Sequence, residues 1–151
     1  MSLSPEQISF LDQASEAAKR ATCAFPQMVG CEAGLESAYG TSGLAKKYNN
    51  LFGMKVHVHN DYGKVSLPTK EWTKDGWITI GQDFEKYPDW DTCFFDRLKT
   101  LIRLSHVYPH YAAALEATDA ETYVREVSQT WASDPNRADK IIAIYSEYAR
   151  G

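Results

Sequence analysis

Glu36 lies in the run Leu35-Glu36-Ser37-Ala38-Tyr39-Gly40, which continues through Gly43-Leu44-Ala45 to Tyr48-Asn49-Asn50-Leu51-Phe52-Gly53-Met54-Lys55. A helical pattern leads up to this carboxylate, and Gly40 is its expected left-handed stop. The spacing therefore predicts a carboxyl group near the C-terminal end of a helix, where the helix dipole disfavours negative charge. Partly buried there, it would hold its proton longer, as a general acid needs. Glycoside hydrolysis commonly uses a pair of carboxyl groups, one to protonate the leaving oxygen and one to assist at the anomeric carbon. The second candidate is Glu71 in Pro68-Thr69-Lys70-Glu71-Trp72, beside a hairpin signal. Asp75, Asp83 and Glu85 compete with it. Out of context, Glu36 reads as an exposed helix-end residue and Glu71 as a solvated strand carboxylate near Lys70.

Around Glu36, the side chains of Tyr39, Asn49, Asn50 and Phe52 suit a sugar cleft. Asparagine amides bond N-acetyl groups and hydroxyls, and an aromatic face covers the CH face of a pyranose; Phe52 reads equally well as core. Asn50 is also expected to tie its loop to the helix carrying Glu36. The chain is rich in rings, with nine Tyr, six Phe and four Trp, which serve packing as readily as stacking.

These motifs resemble the glucosaminidase-type peptidoglycan hydrolases of flagellar and autolytic systems. In that family a Leu-Glu-Ser-aromatic-Gly run ends a helix, and Asn-Asn-Leu-Phe-Gly and a Lys follow. The resemblance is strongest over residues 33–55 and extends from about Ala17 to Tyr148. It implies a lysozyme-like α+β fold, mainly helical, with a small β-hairpin lobe, and an endo-β-N-acetylglucosaminidase that cleaves GlcNAc-β-1,4-MurNAc bonds. Glu36 would be the general acid. Glu71 sits where the family often carries a Thr-Glu-aromatic stretch on its β-lobe. Tyr108-Pro109-His110-Tyr111 and Trp131-Ala132-Ser133-Asp134-Pro135-Asn136 extend the match, with two departures. Trp131 replaces the usual Tyr, and Arg137 stands where a second Tyr is common. Trp131 can still stack on a sugar and donate its N–H. Two rivals remain open: a lytic transglycosylase on the same architecture, and a non-catalytic wall-binding or assembly module. Water activation by Glu71 and attack by the substrate's own acetamido group are also both open.

Positioning such residues takes one domain across all 151 residues, a size that buries a proper core. Ser4, Pro5 and Gln7 form a capping box before a helix whose apolar face runs through Ile8, Leu11, Ala14, Ala18 and Ala21. A second helix opens at Pro26. A strand is expected after the Asn-Asn motif, with Val56 and Val58 alternating. Asn60-Asp61-Tyr62-Gly63 is a turn candidate, and Lys74-Asp75-Gly76 between Trp72-Thr73 and Trp77-Ile78 predicts a hairpin. Further helices are expected through Phe94, Leu98, Leu101 and Ile102, through Tyr111 to Ala117, after a Thr118/Glu121 capping box, and from Asp134-Pro135 through Ile141 and Tyr145.

Lys and Arg total 16 against 20 Asp and Glu, a net charge of −4 that argues against nucleic acid as a partner. The expected partner is the glycan strand of peptidoglycan, met by a monomer. The first residues show no signal peptide, and no run is long enough to span a membrane. The expected site of action is the periplasm or cell wall. Of three cysteines, Cys93 reads as a small apolar core residue, and Cys23 and Cys31 have the option of pairing. His57 with His59 and His106 with His110 are the only metal-like spacings, and Pro109 interrupts the second. No metal and no cofactor are expected.

Overall fold

The computed structural model describes residues 2–59 and 61–150, so the Asn60 end of the turn candidate lies outside the described residues. The chain forms α1 (Pro5–Arg20), α2 (Pro26–Ser37), α3 (Gly43–Tyr48), β1 (Lys64–Thr73), β2 (Gly76–Glu85), α4 (Trp90–Leu104), α5 (Pro109–Leu115), α6 (Ala120–Trp131) and α7 (Arg137–Arg150). The Ser4 capping box closes as expected: Ser4 Oγ accepts from the Gln7 amide, and Gln7 Oε1 accepts from the Ser4 amide. Leu11, Ala14, Ala18 and Ala21 are buried, but Ile8 is exposed and Phe10 takes its place in the core. α1 packs on α2, and α2 on α7. This sandwich holds α2 so firmly that Cys31, Ala33 and even Glu32 lose all contact with solvent.

α2 stops three residues before Gly40, at Ser37. Ala38, Tyr39 and Gly40 all have positive φ, at 50°, 55° and 79°. Ser37 makes this turn possible. Its buried hydroxyl donates to the Ala33 carbonyl and accepts from the Gly40 amide, while the Ser37 carbonyl accepts from the Ser42 amide. Gly40 is required sterically as well, because a Cβ there would lie 2.9 Å from the Phe10 ring. The Glu-Ser-x-x-Gly run is thus a helix terminator that leaves Glu36 on the last turn.

Several expectations are corrected. Ser42 caps the short helix α3, which has no apolar periodicity to betray it. Residues around Val56 and Val58 form no strand; Lys55 makes one isolated bridge to Phe84, and Val58 is exposed. β1 and β2 do form the expected antiparallel hairpin, but its two-residue turn is Lys74-Asp75, with Thr73 opposite Gly76. Asp119, not Thr118, caps α6, accepting from the Thr122 amide and hydroxyl. α7 begins at Arg137, after Asp134 Oδ1 has accepted the Asn136 amide. Ile102 is exposed, and the α4 face is carried by Cys93, Phe94 and Leu101. All three cysteines are free. Burial pushes the thiols up, to about 11 for Cys23 and about 12 for Cys31 and Cys93. No described helix is long and apolar enough to cross a membrane.

Candidate active site

Glu36 lines a cleft of about 590 Å³ together with Phe52, Met54, Lys55, His57, Arg103, Tyr111 and Trp131. That volume falls in the range of small-ligand sites, and the lining mixes rings with a few converging polar groups. The Glu36 side chain is 24% exposed, and its Oε1 accepts from Arg137 Nε at 2.9 Å. The expected helix-end position is therefore present, but an arginine faces the carboxylate.

One turn back on the same helix face, Glu32 is fully buried. It accepts from Arg97 Nη2 at 2.8 Å, Arg137 Nη2 at 2.9 Å and the Tyr123 hydroxyl at 3.0 Å. Burial pushes its carboxyl up, but Arg97 and Arg137 outweigh that and hold it below the usual carboxylate range. Burial would lower the Arg97 guanidinium, yet Glu32 keeps it above its ordinary value. Tyr123 is pushed up, first by burial. Arg137 Nη1 donates to Ser128 Oγ at 2.8 Å. Glu32, Glu36, Arg97 and Arg137 thus form a neutral set of four charges drawn from α2, α4 and α7.

The aromatic wall is built on that set. The Arg97 guanidinium lies 4.5 Å from the Phe52 ring centre and 4.4 Å from that of Trp131. These cation–π contacts partly compensate for Arg97 Nε, which is buried without a hydrogen-bond partner. Phe52 and Tyr111 meet Trp131 edge-on, each 6.4 Å away between ring centres. Phe52 is buried and Trp131 half-buried. With Arg97 against it, Trp131 keeps at most one ring face for a ligand. Burial raises the Tyr111 phenol above its ordinary value, against the opposing pull of Arg97 and Arg137.

The structure brings Glu36, Phe52 and Trp131 to one cleft, but not the other sequence candidates. Left-handed backbone at Ala38 and Tyr39 turns the Tyr39 ring back to Phe10, 6.2 Å away, beside Trp90. Asn49 caps α3 with φ 56° and donates to the Tyr87 carbonyl. Asn50 is buried; its amide donates to the Met54 and Glu85 carbonyls and its Oδ1 accepts from the Phe52 and Met54 amides. It ties its loop to the base of the hairpin, not to the Glu36 helix. Glu71 is exposed on β1 opposite Ile78, two pairs from the hairpin turn, and does not line the cleft. Among its rivals, Asp83 pairs with Lys64 and Ser66, hydrogen bonds that hold its carboxyl low. Glu85 is fully buried at the hairpin base.

Sequence reading missed Arg97 and Glu32, and took Arg137 only as a departure from the family motif. One signal was present. Glu32 and Glu36 are four residues apart on one face of an otherwise apolar helix, and like charges so placed require cations from elsewhere.

His57, Glu85 and Asp96 place one metal-ligand atom each within 4.8 Å of one another. His57 Nδ1 accepts from the His59 amide, so the ring proton is on Nε2, which faces Asp96 at 3.4 Å and Glu85 at 3.6 Å. A metal at Nε2 would have to displace that proton to Nδ1 and break the His59 contact. In the arrangement seen, the ring Nε2 donates to Asp96, and Glu85 accepts from the His57 backbone amide at 3.2 Å.

A helical body, a hairpin lobe and a carboxyl group at an aromatic cleft define a lysozyme-like glycoside hydrolase. The glucosaminidase family model, described as mannosyl-glycoprotein endo-beta-N-acetylglucosaminidase, matches residues 12–150, and the chain belongs to this family. It is 34% identical over 125 residues to the exo-glucosaminidase LytG of Bacillus subtilis, spanning 82% of this chain and 44% of that relative's length. The fold matches the catalytic domain of the autolysin Auto from Listeria monocytogenes at a TM-score of 0.82 and 26% identity, over 99% of this chain and 88% of that one. It also matches a glycoside hydrolase domain of FlgJ from Salmonella typhimurium at 0.74 and 22% identity, over 96% and 99%.

Proposed function

We propose that this chain is an endo-β-N-acetylglucosaminidase that hydrolyses GlcNAc-β-1,4-MurNAc bonds in peptidoglycan, with Glu36 as general acid. The observation that carries this reading is the Glu36 carboxyl group at the wall of a cleft lined by Phe52, Tyr111 and Trp131. Glu36 protonates the bridging oxygen as the C–O bond breaks, and water supplies the new hydroxyl at the anomeric carbon. The open face of Trp131 stacks on a sugar ring. Glu71 is the second carboxylate, carried to the substrate by the hairpin, and activates water or stabilises the developing cation. The chain works as a monomer in the wall compartment. The relative LytG is named as an exo-enzyme, so chain-end preference is a separate question from bond type.

The exposed position of Glu71, away from the cleft lining, favours a second reading in which Glu36 is the only essential carboxylate. Either the acetamido group then attacks internally, or a MurNAc hydroxyl does so in a lytic transglycosylase. Digestion of purified sacculi, borohydride reduction and mass spectrometry decide among these. Reduced GlcNAc ends support hydrolysis, and dominant 1,6-anhydro-MurNAc ends would overturn it. Early release of long fragments supports endo-cleavage, and early release of small products alone supports exo-cleavage.

A further inference from the structure

Arg137 is almost wholly buried, yet it reaches the side chain at the cleft wall. Its three guanidinium nitrogens have three separate partners: Nε donates to Glu36 Oε1, Nη1 to Ser128 Oγ and Nη2 to Glu32 Oε2. Glu32 is in turn gripped by Arg97 and Tyr123. We propose that Arg137 is a positioning residue for Glu36, which anchors Oε1 and leaves Oε2 to carry the transferable proton. This rests on the reading of Glu36 as the general acid.

The geometry comes first. A planar guanidinium held at two corners cannot follow the motion of a third partner. Glu36, on the last turn of α2, is therefore held to Arg137 rather than the reverse. An oxygen already accepting from a cationic donor is the poorer base, so the proton goes to Oε2. Oε2 has no hydrogen-bond partner among the described residues. The acid is thus fixed in place with one defined oxygen free to face the scissile bond, the preorganisation that general acid catalysis needs.

The charge argument is separate. Glu32 and Glu36 lie one turn apart on α2, and Arg97 and Arg137 supply the two positive charges beside them. An ammonium at position 137 keeps that charge but not the planar fork, so charge and geometry are separable by substitution.

The test is the kcat and KM of sacculus hydrolysis for wild type, Arg137→Gln and Arg137→Lys, with Glu36→Gln as control. Arg137→Gln should lower kcat by about ten- to a hundredfold with KM nearly unchanged. Arg137→Lys should recover little of that loss, because an ammonium supplies the charge without the fork. Arg137→Gln leaves Glu32 paired with Arg97 and Tyr123, so a folded variant is expected. If it is not recovered folded, Arg137→Lys carries the test. A folded variant with wild-type kcat, or one whose KM rises as its kcat falls, would overturn the proposal and leave a purely structural network. An active Glu36→Gln control would instead reject the acid assignment, and this inference with it.

Discussion

Replacing Glu36 by Gln removes the transferable proton and almost nothing else. The amide retains a carbonyl oxygen that can accept from Arg137 Nε, so the 2.9 Å contact survives as a hydrogen bond without its ionic component. Arg137 keeps Glu32 and Ser128 as partners. The cost to folding is then the difference between a charge-assisted and an ordinary hydrogen bond at a side chain that is 24% exposed, about 1 kcal/mol. For a domain of this size that lowers Tm by about 2–4 °C. The chemical cost is much larger. A positioned general acid contributes roughly a hundred- to ten-thousandfold in rate, equivalent to about 3–5 kcal/mol of transition-state stabilisation. Two measurements on the same preparation separate the terms: loss of turbidity of purified sacculi with reducing-end release, and thermal unfolding. Wild-type clearing by the folded variant would refute the assignment of Glu36. A Tm loss beyond about 10 °C would refute the energetic argument, since it would mean that the Arg137 network needs the Glu36 charge to hold together.

Trp131→Ala should raise KM by removing the stacking face, and should also cost stability by uncovering Arg97; Trp131→Tyr should retain most activity, and equal KM in all three proteins would place the ring outside the binding path. Glu71→Gln should cost about two to four decades if Glu71 directs water, whereas full activity would reduce the chemistry to Glu36 alone. A chelator should leave lysis unchanged; activity lost in chelator and restored by zinc or manganese would show that the His57, Glu85 and Asp96 group binds metal in solution. Glu32, held low by its two arginines, stabilises the fold above the usual carboxylate value of about 4.3, and that contribution fades as pH falls through its depressed folded value. Glu32→Gln should accordingly be less stable at neutral pH by about 3–5 kcal/mol but show a shallower loss on acidification, and parallel Tm–pH curves would contradict this.

What was legible in the sequence was local. The Ser4 box, Pro26, the glycine after the Glu-Ser pair and the Asp75-Gly76 dipeptide each act through neighbours within four residues, and each marks an element within a few positions of its observed boundary. α3 escaped because six residues capped by Ser42 carry no apolar period. Val56 and Val58 alternate without becoming a strand, because alternation stabilises a strand only when a partner lies alongside, and here the pairing among the described residues ends at the Lys55–Phe84 bridge and the Val56 amide on the Asp83 carbonyl. In the site, Glu36 was legible from its own motif. Arg137 was not, because its partners lie 101 and 105 residues away in the chain. Tyr39 was misdirected by the same turn that exposes Glu36: the left-handed residues that end α2 rotate the next ring to the opposite side.

The two carboxylates of the proposed pair sit in mechanically different settings, and this bears on how the reaction is assembled. Glu36 is tied through Arg137 to a buried network that links α2, α4 and α7. Glu71 rides on a hairpin whose strands pack chiefly on each other and whose tip residues, including Trp72 and Trp77, are largely exposed. Segments with few buried contacts open at low free-energy cost, whereas a charge network buried between helices moves only with the fold. The base of the hairpin belongs to the rigid part: Asn50 bonds the Glu85 carbonyl, and the Glu85 amide donates to the Met54 carbonyl. A bend of the hairpin about that anchored base is thus the motion that changes the separation of Glu71 from Glu36 while leaving the acid undisturbed. Should Glu36 and Glu71 act as the proposed pair, the acid is preorganised, and the second carboxylate takes part only as far as bound glycan draws the hairpin down.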